Sequence, residues 1–183
     1  MTLPRVTWQT IAIMACLLVA ATLPPMLDRP PLQQVAWLML CALAAAIAIE
    51  DLARMLIPDG YTAAIAVVAA ALAFATHGWT GLGHAVLEGV ILAAGLMLVT
   101  LLYERLRGRS GLGFGDVKLL SASAMLVGLW GVGAQILFAS VAALLFTALR
   151  SVRRRRPLRA VTRIPFATFL GPALVLVWAW TTP

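Results

Sequence analysis

The sequence predicts an all-α membrane protein, a polytopic bundle of about seven transmembrane helices within a range of six to eight. Three observations carry that reading. Hydrophobic residues make up 62% of the chain and charged residues 11%, with a mean hydropathy of +0.97, so there is too little polar surface to cover a water-soluble globule of 183 residues. Apolar segments recur along the chain, several near the ~20 residues that cross hydrocarbon as helix. Basic residues gather in alternate connections between them. Residues 1–183 read as one integral-membrane domain.

The first segment, residues 8–27, follows Arg5 as a signal peptide would, but no small-residue cleavage site precedes Pro24 and Pro25, so it reads as a retained span. The second, 32–50, ends in a run of alanine and isoleucine before Asp51. The third, 60–77, opens behind Pro58, with Asp59 as the expected N-cap. An outer loop with His77 and His84 leads to the fourth, 83–103. The fifth and sixth, 117–132 and 133–149, are short and have only the stretch from Gly128 to Gly133 near their junction. They are counted as two because one helix of more than ~30 residues fits a bilayer poorly. The seventh is 165–181. Stretches such as AIAVVAAALA predict close helix packing through small side chains.

Charge orients this bundle. With the amino terminus in the cytoplasm, Arg5, Arg54, Arg105, Arg107, Arg109, Lys118, Arg150, Arg153 to Arg156, Arg159 and Arg163 all fall on the cytoplasmic side, and only Arg29 lies outside. The localisation expected is a multi-pass protein of the plasma (inner) membrane. The run SVRRRRPLRA reads as an anchor on acidic headgroups, so membrane lipid is its partner and no nucleic acid is expected. Cys16 and Cys41 sit inside apolar runs with no CxxC or His/Cys spacing, which indicates neither zinc nor a disulfide. No metal and no cofactor are expected.

The acids carry the chemistry. GLGFGDVKLL places three glycines and Asp116 at the edge of an apolar segment, where an ionisable side chain is expensive and points to function. Asp28 and Glu88 fall on or near the outer side, and Glu104 adjoins Arg105 and Arg107 at a helix end. Asp51 closes the second segment at the depth at which Asp116 opens the fifth. Two such carboxylates can share a proton, one acting as base on water while the other donates to a scissile carbonyl. Asp51 falls at a helix carboxy terminus and Asp116 at an amino terminus, so the helix dipoles predict that Asp51 holds the proton and Asp116 activates water. Gly111, Gly113 and Gly115 would let an extended foreign backbone come close. Irregular backbone at membrane depth is tolerated where it lines a wet cavity.

These residues resemble a known family. Gly113-Phe114-Gly115-Asp116 matches the GxGD signature of intramembrane aspartyl proteases, and EDLARMLIPD, with Asp51 eight residues before Asp59, resembles the first-aspartate motif of the type IV prepilin peptidases. RIPFATFLGP is similar to that family's carboxy-terminal PFxxF segment. The resemblance implies an aspartic-type endopeptidase that removes the basic leader from type IV prepilins or pseudopilins at the cytoplasmic face. Asp51 and Asp116 would be the catalytic pair, and Gly113, Phe114 and Gly115 the active-site loop. Pro165 and Phe166 carry the last motif towards the substrate, and Glu50, Asp59 and Glu104 would receive the leader's positive charge.

Departures from the family's pattern shape the expectation too. The cysteine-bearing amino-terminal insert of many bacterial members has no counterpart here, so N-methyltransferase activity is not expected. Ala167-Thr168 stands where the family often has Gly-Pro. Lys118 lies two residues after Asp116, on nearly the opposite helix face, and is expected to snorkel to the headgroups. Two other classes stay open at this point: a proton- or cation-coupled transporter, which would want acids nearer the bilayer midplane, and a non-catalytic pilus or secretion assembly protein. Which precursor is the substrate and what oligomer forms are not legible in the residues.

Overall fold

The computed structural model describes residues 5–108, 112–154 and 165–181, with the side chains of 5–15, 150 and 152–154 left out. Gly111 and Arg109, Arg155, Arg156, Arg159 and Arg163, together with the side chains of Arg5, Arg150, Arg153 and Arg154, lie outside the described set. The described chain is all-α: α1 (Arg5–Leu27), α2 (Pro31–Arg54), α3 (Asp59–Arg107), α4 (Phe114–Arg154) and α5 (Ala167–Thr181). Three helical stretches among the described residues are long and apolar enough to cross a membrane: Pro31–Arg54, Asp59–Arg107 and Phe114–Leu149. Cys16–Leu27 and Ala167–Thr181 are shorter apolar helices. Leu98, Leu101, Leu137, Leu144 and Leu145 are all exposed, an arrangement suited to lipid as solvent. The protein is a helical membrane protein.

Five helices replace the seven expected, because the reversals predicted between the third and fourth segments and between the fifth and sixth are made without loops. A straight α3 of 49 residues would run ~74 Å. At Gly78 the backbone leaves helical geometry (φ 64°, ψ −149°), and Thr62 and Ala66 before the bend line the same cavity as Gly89, Ala93 and Met97 after it. α4 breaks at Gly128 (φ 74°, ψ 170°), a conformation open essentially to glycine. Across that bend Gln135 Nε2 donates to Ser123 Oγ at 3.1 Å, although twelve residues of straight helix span ~18 Å. A single glycine thus suffices for each reversal. The α4 bend falls at Gly128, within the stretch from Gly128 to Gly133 expected to separate the two segments, and His77 and His84 lie within α3 beside its bend instead of in a loop.

α5 has the highest mean apolarity and sits at the centre, against α1, α2 and α4. Ala167 through Leu170 and most residues up to Ala179 are buried, as a helix apolar on every face should be. α3 packs on α4 and α2 outside it. α1 runs through Pro24 and Pro25, and proline at 25 leaves the Ala21 carbonyl without its helical donor. Trp180 Nε1, on α5, donates to that carbonyl at 3.2 Å. Arg29 Nη2 donates to the Ala179 carbonyl at 3.0 Å, closing the same end. The opposite end brings together the carboxy terminus of α2, the amino termini of α3, α4 and α5, and the end of α3.

Candidate active site

At that second end the α2–α3 connection is short and stiff. Pro58 restricts Ile57 to extended backbone, so α2 must stop before it. It stops at Arg54, one turn beyond Asp51, and Met55 takes a left-handed conformation (φ 52°, ψ 42°) with its N–H on the Asp51 carbonyl at 2.8 Å. Asp51 therefore sits in the last turn of α2 rather than closing it. α3 then begins at Asp59 behind Pro58, which occupies the N-cap position. Asp59 is not the cap: no side-chain cap bond forms, and its carboxylate instead takes the Lys118 ammonium at 2.7 Å. Lys118, also 5.5 Å from the Phe114 ring centroid, bridges α4 to α3 where simple snorkelling was expected.

Asp51 is 5% exposed, and an isolated ionisable group so buried would be costly. Its Oδ2 accepts the backbone N–H of Thr168 at 2.7 Å and the Thr168 hydroxyl at 3.0 Å. Both donors belong to the first turn of α5, whose N–H groups have no helical acceptor. Asp51 thus lies between two helix ends, the carboxy-terminal turn of α2 and the amino-terminal turn of α5.

Asp116 lies half-buried in the first turn of α4. Val117 N–H donates to the Gly113 carbonyl at 3.2 Å, so α4 winds directly out of the glycine-rich turn. A Cβ on Gly113 would come within 3.1 Å of Asp116 Oδ2, and the missing side chain leaves the carboxylate room to lie over the turn. Gly115, beside Asp116, packs on Ile57 of the α2–α3 connection, six residues beyond Asp51. The structure thus brings the two acids to one end of the bundle.

The remaining candidates are distributed around this end. Gly115 faces Ile57, so its smallness serves packing of α4 on the α2–α3 connection. Phe114 is exposed and, with Lys118 and Ser121, lines an open cavity of about 600 Å³ whose other walls include Ala63, Ala66, Gly89 and Ala93. Glu50 pairs with Arg54 across one helical turn at 3.3 Å, on a different face from Asp51. Glu104 is exposed in the last turn of α3, its carbonyl taken by the Gly108 N–H at 2.8 Å. Pro165 and Phe166 are half-buried immediately before α5, and the Phe166 carbonyl accepts Phe169 N–H at 3.0 Å to start that helix. Glu88, expected near the outer side, lies beside the α4 bend, where a Cβ on Gly128 would meet its Oε2 at 3.2 Å.

Sequence reasoning missed Thr168. Its signal was present: within FATFLGPALVLVW it is the only side chain with a hydrogen-bonding group ahead of the tryptophan, set in a helix that is otherwise apolar. Among the described residues, no three His, Cys, Asp or Glu side chains gather as metal ligands would.

The sequence model of the type IV leader peptidase family matches residues 38–148, more than half of the chain. The chain belongs to the type IV leader peptidase family. It is a membrane-embedded peptidase. The matched region contains both Asp51 and Asp116 and stops before α5, so Thr168 lies beyond it. No curated protein and no solved structure matches the chain.

Proposed function

We propose that this leader peptidase is an aspartic endopeptidase that cleaves the basic leader from type IV prepilins or pseudopilins, with Asp51 and Asp116 as the catalytic pair. The observation that carries the reading is the placement of these two acids, 65 positions apart in the chain, at one end of the bundle: Asp51 in the last turn of α2 and Asp116 in the first turn of α4, whose Gly115 packs on Ile57 of the connection that follows Asp51. A water held between two such carboxyl groups loses a proton to the ionised one as it attacks the scissile carbonyl, while the protonated one donates to the carbonyl oxygen. On collapse of the tetrahedral diol the C–N bond breaks as the proton taken from water passes to the leaving amine, and the other carboxylate takes back a proton from a diol hydroxyl as the new carboxyl group forms, so the pair returns to its starting charge.

Charge distribution supports a cytoplasmic site in the inner membrane. Arg54, Arg105, Arg107 and Lys118 stand at the end that bears the pair, and Arg29 stands at the other. Glu50, Asp59 and Glu104 lie at the same end and are proposed to meet the leader's basic residues. Pro165 and Phe166 are proposed to border the substrate where α5 begins. The two cysteines lie 25 positions apart with no CxxC, and peptidase activity without N-methyltransferase activity is proposed on that ground. No observation favours the transporter or assembly-protein readings.

The test is cleavage of a co-expressed prepilin, read by loss of its leader. Asp51→Asn and Asp116→Asn should each abolish cleavage while the protein accumulates in the membrane at wild-type level. Full activity in either variant would sink the pair.

A further inference from the structure

We infer that Thr168 is a positioning residue for this reaction: its backbone N–H and hydroxyl together hold Oδ2 of Asp51 and fix the orientation of that carboxyl group. The inference rests on the aspartate pair proposed above and assigns the orientation of one catalytic carboxyl group to one residue.

A carboxylate on a two-carbon side chain can rotate about its last bond, and either oxygen could face the partner acid. Two donors from one residue remove that freedom. The N–H bond at 2.7 Å and the O–H bond at 3.0 Å converge on the same atom, and both are enclosed, since Thr168 is 2% exposed and Asp51 5%. Hydrogen bonds between partners so enclosed hold their geometry more firmly than exposed ones, which water can replace. The donors are rigid in turn. Thr168 lies in the first turn of α5, and two residues on, the Leu170 carbonyl accepts Gln135 Nε2 at 3.0 Å, which ties the register of α5 to the second half of α4. Gly171, one residue further, meets the backbone of α2 at Ala44, where a Cβ would come within 3.2 Å, so α5 cannot slide along α2 without a clash. Thr168 is thereby clamped between the helices that carry Asp51 and Asp116, and its two bonds transmit that clamp to the carboxylate.

A purely structural alternative assigns the same bonds to fastening α5 onto α2. The two roles separate in kinetics. Thr168→Val keeps the shape and the N–H and removes the hydroxyl. Thr168→Pro removes both donors at a first-turn position where proline is tolerated. Thr168→Ser keeps both. With purified enzyme in detergent and a prepilin substrate, positioning predicts that kcat falls about tenfold or more in Thr168→Val and further in Thr168→Pro. KM should hold within about twofold in both, because the substrate's own contacts are untouched. Thr168→Ser should recover the kcat that valine loses. Wild-type kcat in Thr168→Val, or a serine variant as slow as the valine one, overturns the proposal, and Thr168→Val decides it even where Thr168→Pro fails to accumulate. Asp51→Asn, run alongside, keeps the two readings apart. An active Asp51→Asn defeats the pair itself, whereas an inactive Asp51→Asn beside a fully active Thr168→Val defeats only the role of Thr168.

Discussion

Ile57 packs on the bare face of Gly115: a Cβ there would lie 3.2 Å from both Cβ and Cδ1 of Ile57, closer than side chains ordinarily approach. Ile57 is itself buried and held extended by Pro58, so it has little room to retreat. Gly115→Ala should cost about 1–3 kcal/mol by overpacking and lower cleavage, since it pushes the start of α4, and Asp116 with it, away from the α2–α3 connection. Combining it with Ile57→Val should recover part of both losses in a double-mutant cycle. Additive losses would mean that the two residues do not meet.

The reversal of α4 rests on Gly128. Its φ of 74° with ψ of 170° is closed to residues that carry a Cβ, and Glu88 Oε2 crowds the same position. Gly128→Ala should destabilise the protein by about 1–3 kcal/mol in detergent thermal melts. Gly133→Ala, where nothing lies within 4 Å of the added methyl, should be neutral or mildly stabilising. Equal melting temperatures for the two variants would argue that α4 runs straight through.

Asp59 is 77% exposed at its side chain, and its ion pair with Lys118 is one of the solvated kind. Such pairs contribute ~0–1 kcal/mol. Asp59→Asn should therefore leave folding and kcat close to wild type, in contrast with Asp51→Asn. Neutralising Glu50, Asp59 and Glu104 together should raise KM for a basic leader without abolishing turnover, and an unchanged KM in the triple variant would exclude these acids as the leader's partners.

Gln135 is fully buried, donates to Ser123 Oγ and to the Leu170 carbonyl, and has an Oε1 with no hydrogen-bond partner. The unpaired oxygen offsets what the two bonds contribute. Gln135→Met, of similar size, should change stability by less than about 1 kcal/mol, whereas Gln135→Ala leaves a cavity and should cost about 2 kcal/mol or more. Chemical denaturation in mixed micelles measures both, and a large loss in the methionine variant would show the hydrogen bonds to be dominant.

Two aspartates acting on water need no metal. Chelator treatment followed by the prepilin cleavage assay should leave the rate unchanged, and a rate lost to chelator and restored by one divalent cation would require a different chemistry.

What the sequence determined by itself was what depends on local pattern. Apolar runs of spanning length specify helices because the backbone in lipid must satisfy its own hydrogen bonds. The alternation of basic connections grouped Asp51 with Asp116 at one end, since charge partition needs only the order of the segments. What only the tertiary structure decided was everything that depends on where one helix meets another. Both reversals inside α3 and α4 use a single glycine with positive φ, and although the segment boundaries pointed to the stretches that hold Gly78 and Gly128, only the packing of the flanking helices decides that one glycine, without a loop, makes each turn. Gly115 looked like room for a substrate and proved to be room for Ile57. Asp59 looked like a cap and proved to be the partner of Lys118. The bonds from Thr168 to Asp51 join residues 117 positions apart, through a contact that exists only because α5, apolar on every face, is driven into the centre of the bundle with its amino terminus against the last turn of α2.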